Sequence, residues 1–255
     1  QIPYWGAVAL DTASTWGFNI SQWASFNAFP DFPAVARLAQ AGMSKRGTPV
    51  DGVVAIDPTV VAAILAGTGP VEHKGITLDS AGAVDFFTKG LYEDFPGFDD
   101  VAEKDALAMG LTYATIDAAL KRPLDASALL DSLGAAIADG HLLAWSPVPD
   151  AESWLMTTGV SAAMAQYPNA VSVAFFNGTG GKLDPYVDRD VVIDDSRCPT
   201  EGVFDVTVDL ANNAPTGLPE SVDVALGPDQ KPDPSIPAGF TKTHELISAP
   251  DTGAE

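Results

Sequence analysis

The charged side chains able to act on a ligand fall into two groups, Asp31, Arg37 and Asp57 early in the chain and Lys182, Asp184 and Arg189 far downstream. Asp31 stands directly before Phe32-Pro33 at an expected strand-to-helix junction, the place where α/β folds set their ligands. The same position suits a turn or helix cap. Arg37 follows on the expected helix. Directed back toward Asp31 and the sheet end it would hold an oxyanion such as phosphate; directed outward it is a surface or ion-pairing group. Asp57 precedes Pro58, so its carboxylate reads as a helix cap or as a ligand to a metal or substrate. Asp31 and Asp57 are the two residues to consider as metal ligands. Lys182, Asp184 and Arg189 follow the turn GTGG, whose backbone amides can face an anion; the plainer alternative is a hairpin turn. No residue is identified as catalytic.

Other reactive residue types give less. His73, His141 and His244 are scattered without metal-ligand spacing and read as structural or solvated. Cys198 is the single cysteine, so no disulfide forms within the chain. In DDSRCPT it reads as a structural or exposed thiol, with a partner cysteine elsewhere and a nucleophilic role as the alternatives. The Walker pattern and the dinucleotide fingerprint are absent. The stretch LYEDFPGFDDVAEKDALAMG gathers Glu93, Asp94, Asp99, Asp100, Glu103 and Asp105 around the one cation Lys104. Such a surface repels an anion unless metal ions bridge it.

The elements that must position these residues are legible from periodicity. A strand is expected near Trp5 to Leu10, then the turn-rich aromatic stretch TWGFNISQWASFNAFPDFP. A helix follows over Ala34 to Lys45 with Val35, Leu38, Ala39 and Met43 inward. The segment Val50 to Val71 reads as strand, helix and strand: Val53 to Ile56 as a strand buried on both faces, then Asp57 and Pro58 opening a helix whose Val60, Val61, Ile64 and Leu65 share a face, ended by Gly67 or Gly69. Asp79 caps a helix with Val84, Phe87 and Leu91 on its core face. A long helix over about 100–120 carries Val101, Leu107, Leu111 and Ile116. Asp125 opens another, with Leu129, Leu130, Leu133 and Ile137 in helical register and Gly140 at its end. HLLAWS is a strand, a short helix spans Glu152 to Thr158 with a second reaching Gln166, and Asn169 to Asn177 is a strand. GVFDVTVDLANNAP then alternates with period two, as a half-exposed antiparallel strand does, with no later helix expected. The reading is an α/β layered domain over residues 1–183, followed over 184–255 by the start of a β-rich, truncated segment with a Pro-rich stretch at Gly227 to Pro237.

Composition excludes several roles. The chain has 255 residues, 46% of them hydrophobic, enough for a sizeable core. With 34 acidic against 13 basic residues the net charge is −21, which opposes binding to nucleic acid and adhesion to anionic lipid. The acidity also serves solubility. No run approaches the ~20 apolar residues that span a bilayer. IPYWGAVAL starts without a polar lead-in and SAPDTGAE ends abruptly, so the chain is expected to be a fragment of a longer protein.

DFPAVARLA, VDGVVAIDPTVVAAILAGTGPV, GHLLAWS, NGTGGKLDPYVDR and NAPTGLPESV, in this order, resemble the domain-of-unknown-function family 4012, found mainly in actinobacteria. The resemblance implies an extracytoplasmic cell-envelope domain, membrane-anchored by an N-terminal helix outside this chain and associated with surface polysaccharide. More distantly, the Gly-Pro-Val turn followed by ITLDSAGAVDFFTKGLY and a long helix resembles LytR-CpsA-Psr phosphotransferases. That likeness implies a three-layer α-β-α sandwich, an apolar pocket for a polyprenyl chain, and a pyrophosphate clamp of arginines and aspartate-held magnesium. The acidic stretch at Glu93 to Asp105 makes such a clamp degenerate here. Three functions follow as expectations: a non-catalytic module binding a lipid-linked or polymeric glycan or serving as a scaffold, with a polyprenyl-linked glycan or a cell-envelope protein as partner; a magnesium-dependent phosphotransferase or pyrophosphatase attaching glycopolymers to the cell wall; or a structural, protein-interaction domain.

Overall fold

The computed structural model describes residues 30–164, 170–226 and 231–248. The strand expected at Trp5 to Leu10, the aromatic stretch after it and the helix expected to reach Gln166 fall wholly or partly outside these residues.

In chain order the described elements are α1 (Phe32–Lys45), β1 (Val53–Ala55), α2 (Pro58–Thr68), β2 (Val71–His73), β3 (Ile76–Leu78) and α3 (Ala83–Asp85). A π-helical segment, Phe86–Gly90, continues α3 into α4 (Leu91–Asp94). Then come α5 (Val101–Lys121), α6 (Ala126–Ala138), β4 (Leu143–Trp145), α7 (Pro149–Thr157), β5 (Ser172–Asn177), β6 (Val187–Asp194), α8 (Cys198–Glu201), β7 (Asp205–Asn212), α9 (Glu220–Asp223) and β8 (Thr243–Ser248). The protein is thus mixed α/β. Its described strands pair two by two and antiparallel: β1 with β4, β2 with β3, β5 with β8 and β6 with β7. Among the described residues no helix is long and apolar enough to cross a membrane.

Two compact units divide the chain. Of the described residues, 30–84, 109–164 and 170 form the first, and 85–108, 171–226 and 231–248 the second. The change of character expected at residue 183 falls inside the second.

In the first unit, α1 packs Phe32 and Ala36 against Trp145 of β4, with Val53 and Ala55 of β1 at the edge of the cluster. Val53 and Ala55 face this helix, while Val54 between them is 64% exposed. The strand expected to be buried on both faces is therefore buried on one. The Val-rich run does not distinguish the cases, because side chains alternate between faces and only one face here meets a helix. The β2–β3 hairpin turns through Lys74 and Gly75, both with positive φ; these are the conformations that the two-residue turn needs to match strand twist.

Helix α2 is built as its sequence suggests. Pro58 occupies the first turn, Asp57 caps it, and Val60, Val61 and Leu65 are buried. Gly69, at φ 75°, ends it with its N–H on the Leu65 carbonyl. Val60 and Ala63 pack against Ala136 of α6, with Leu133 and Leu142 around them. Closest approach falls at Gly67, where an added Cβ would stand 2.6 Å from Leu129 Cβ. The Gly67 carbonyl accepts from Asp125 N at 2.9 Å, just where Asp125 caps α6. A glycine that sequence alone offers as a helix end is instead the contact point of two helices.

Three core faces shift from expectation. On α5, Leu107, Leu111, Thr115 and Ala118 are buried, whereas Val101 and Ile116 are 44% and 38% exposed. On α6, Ala136 is buried and Leu130 exposed. At residues 83–94, Ala83 and Leu91 are buried while Val84 is exposed, the π segment having changed the helical register between them.

The second unit carries the expected alternation. Val206 and Val208 of β7 are half-buried between exposed neighbours, and the strand lies antiparallel to β6. α8 and α9 are single turns the sequence reading did not anticipate.

The Gly67 contact yields a paired test. Gly67→Ala should destabilise the protein by about 1–3 kcal/mol through overpacking. Gly134→Ala, in the interior of α6 with nothing within 4 Å of the new methyl, should stabilise it by roughly 0.5–1 kcal/mol. Urea unfolding of both variants reads the difference.

Candidate functional site

The two groups of candidate residues lie in different units. In the first, Asp31 caps α1: Oδ2 accepts from Ala34 N at 3.2 Å and Oδ1 from Met164 N at 3.0 Å. Arg37 does turn back toward it, its Nη2 lying 3.8 Å from Oδ2. Both carboxylate oxygens are thereby engaged with backbone, and the guanidinium meets the same acid rather than an open anion site.

Asp57 is equally occupied. Oδ1 accepts from Thr59 N at 2.8 Å and Val60 N at 3.2 Å, which fills the cap of α2. Oδ2 lies 2.5 Å from Nδ1 of His141, at the entrance to β4. Sequence reading left His141 unassigned, since a partner 84 residues away leaves no spacing signal. Among the described residues no three His, Cys, Asp or Glu side chains gather as a metal site would require. Cys198 is exposed at the start of α8.

In the second unit, the block from Asn177 to Arg189 folds into one hydrogen-bonded network at the end of β5. Asn177 is its hub, and it was not among the expected site residues. Its Nδ2 donates to Asp184 Oδ2 at 2.5 Å and to the Gly181 carbonyl at 2.9 Å. Its Oδ1 accepts from Thr179 N and Thr179 Oγ1, both at 2.8 Å. Thr179 is 2% exposed and its carbonyl accepts from Leu226 N at 2.7 Å, so the turn is fixed from behind.

Asp184 divides its oxygens between two partners. Oδ2 takes Asn177, and Oδ1 accepts from Arg189 Nη2 at 2.8 Å. Arg189 also donates through Nη1 to the Val187 carbonyl at 3.2 Å. Its guanidinium lies 5.9 Å from the ring of Phe175, two residues before Asn177 and therefore on the same strand face. Asp184 and Arg189 side chains remain 39% and 27% exposed. The result is a set of planar polar groups held in fixed orientation beside an aromatic ring.

Lys182, on the same turn, is exposed between buried Gly181 and Leu183. The second unit also holds two lysine–tyrosine contacts: Lys89 Nζ lies 5.7 Å from the Tyr186 ring centroid and Lys104 Nζ 4.6 Å from that of Tyr92. Burial pulls the Lys104 ammonium below the usual lysine range; the Asp105 carboxylate opposes this, and the nearby charge of Lys182 adds to it. Burial likewise pushes the Tyr92 phenol up, reinforced by Asp105.

A further lining of apolar residues lies in the first unit. Met109, Tyr113, Ile116 and Leu120 form an exposed stripe along α5. A shallow groove beside it is floored by His73, which packs over Gly110.

Fold and site together define a mixed α/β protein whose second unit carries a hydrogen-bonded network of polar side chains at the end of β5. A family model described as "Protein of unknown function (DUF4012)" matches residues 8–92. The chain is similar to that family over α1 to the start of α4, a span that includes Asp31, Arg37 and Asp57 and excludes Lys182, Asp184 and Arg189. No curated protein and no solved structure matches the chain.

If Asp57 acts as cap and pair, Asp57→Ala should cost about 1–2 kcal/mol of stability. Asp57→Asn, which keeps the capping oxygen, should cost distinctly less. Thermal unfolding of the two variants decides this.

Proposed function

We propose that this protein is a non-catalytic module of the cell envelope, held on the outer face of the plasma membrane, whose second unit binds a lipid-linked or polymeric glycan. The observation that carries this reading is the Asn177–Asp184–Arg189 network. Sugar hydroxyls are met by planar amide, carboxylate and guanidinium groups whose orientations are fixed in advance, since preorganisation spares the ordering cost on binding. An adjacent aromatic ring adds apolar contact. Asp31 and Asp57 support a non-catalytic role, because each already serves backbone amides and a cation or histidine.

The same reading takes the first unit as part of a three-layer α-β-α sandwich of the LytR-CpsA-Psr kind, with α1 covering one face of the β1–β4 ribbon. A scaffold or interaction role is a second reading, favoured by the α5 stripe. Met109, Tyr113, Ile116 and Leu120 are spaced by four, three and four residues, as in a coiled-coil seam.

Binding of soluble envelope polysaccharide fractions, followed by calorimetry, tests the first reading. Arg189→Ala and Asp184→Ala should each weaken binding by about tenfold or more, the loss of a charge-assisted bond. Arg197→Ala, whose guanidinium serves Asp205 and Glu201, should leave it unchanged. Absence of saturable binding to every fraction would sink the proposal.

A further inference from the structure

We propose that the outer edge of β7 is a docking edge for an extended segment of a partner protein in which basic and apolar residues alternate.

The register of the β6–β7 ribbon sets its two faces. Asp190 lies directly opposite Asp209, and Asp194 opposite Asp205. Asp188 shares their face, because side chains two residues apart on a strand point the same way. Two carboxylate pairs thus stand in direct opposition, an arrangement that destabilises a sheet. Some of the charge is met locally: Asp205 accepts from Arg197 at 2.6 Å, Asp188 from Asn213 at 2.7 Å and Asp194 from the Ser196 amide at 2.9 Å. Asp190 and Asp209, opposed near the middle of the ribbon, have no such partner among the described residues. The other face of β7 is apolar, with Val206 and Val208 half-buried and Leu210 42% exposed.

The same register shows which backbone groups are open. Asn213 N donates to the Tyr186 carbonyl at 2.8 Å, one pair beyond the ladder. Bonded and non-bonded pairs alternate along an antiparallel ribbon. Asp190 and Asp209 therefore exchange bonds across it, while Val206, Val208 and Leu210 turn their N–H and C=O groups away from β6. Among the described residues nothing meets these groups. The outer edge of β6 is less open, since the Val187 carbonyl accepts from Arg189 Nη1 at 3.2 Å. A strand added to β7 meets free backbone groups, apolar side chains on one face and carboxylates on the other. In this mode main-chain bonds give affinity and alternate side chains give specificity. Charge selects the occupant. A second copy of β7 would bring further aspartates to an already repulsive face, whereas lysine or arginine at every second position relieves the repulsion.

The test titrates the full chain with the end-capped heptapeptide Lys-Val-Lys-Val-Lys-Val-Lys, followed by calorimetry at low ionic strength. Saturable binding is expected, weakened by added salt. The same peptide methylated on alternate backbone nitrogens keeps its charge and should not bind. Val208→Pro removes an outward N–H and leaves the ladder to β6 intact; it should weaken binding about tenfold. Val191→Pro, the same change on the outer edge of β6, should not. Asp190→Asn and Asp209→Asn should each weaken binding about threefold, as exposed ion pairs do. Where a proline variant unfolds, the methylated peptide reads the same bonds from the ligand side. No saturable binding overturns the proposal and leaves the aspartates as guards against edge pairing. Binding that survives methylation is charge attraction alone and overturns it, and loss in Val191→Pro alone moves the edge to β6 and overturns it equally. A dimer of the free chain that Val208→Pro abolishes assigns the edge to a second copy, against the basic partner.

Discussion

The Asp57 carboxylate holds together the two corners around which the first unit is built. Asp57 sits where β1 becomes α2, and His141 where α6 becomes β4. β1 pairs with β4, and α2 packs on α6, so each corner joins the same two layers. One carboxylate oxygen closes the exposed amides of α2 while the other meets the histidine of the opposite corner. The Gly67 contact lies at the other end of the same helix pair, where the start of α6 passes α2 with no space for a side chain.

The carboxylates of the two units are used differently. Asp31 and Asp57 sit at positions where an α/β protein could place a ligand, yet each satisfies helix amides that would otherwise lie unpaired. In the second unit the arrangement differs. Asp184 bridges Asn177 and Arg189 at the surface, and the three groups stay partly open to solvent.

Any lysine near the surface has carboxylates to choose from, and pairing at the surface is worth little either way. Lys104 instead lies over the Tyr92 ring. The Asn177 network lies on the same turn as Lys182.

Local elements were legible in the sequence where the code is short in range. Asp31, Asp57 and Asp125 before helices, Pro58 at a first turn, Gly69 and Gly140 at helix ends and the alternation of β7 all do what their types suggest. Each rests on contacts within a few residues. The pairing of Asp184 with Arg189, five residues apart, was close enough to suspect. Position alone could not reveal that Asp57 meets His141 or that Gly67 faces Leu129. These contacts join segments tens of residues apart, and nothing in local periodicity records which segments meet. The sequence by itself determined the α/β class, the helix caps and the charge excess, because propensity, capping and net charge are properties of neighbours and of composition. Tertiary structure alone decided which faces are buried and which carboxylates are used up, because burial and pairing depend on packing between distant parts of the chain.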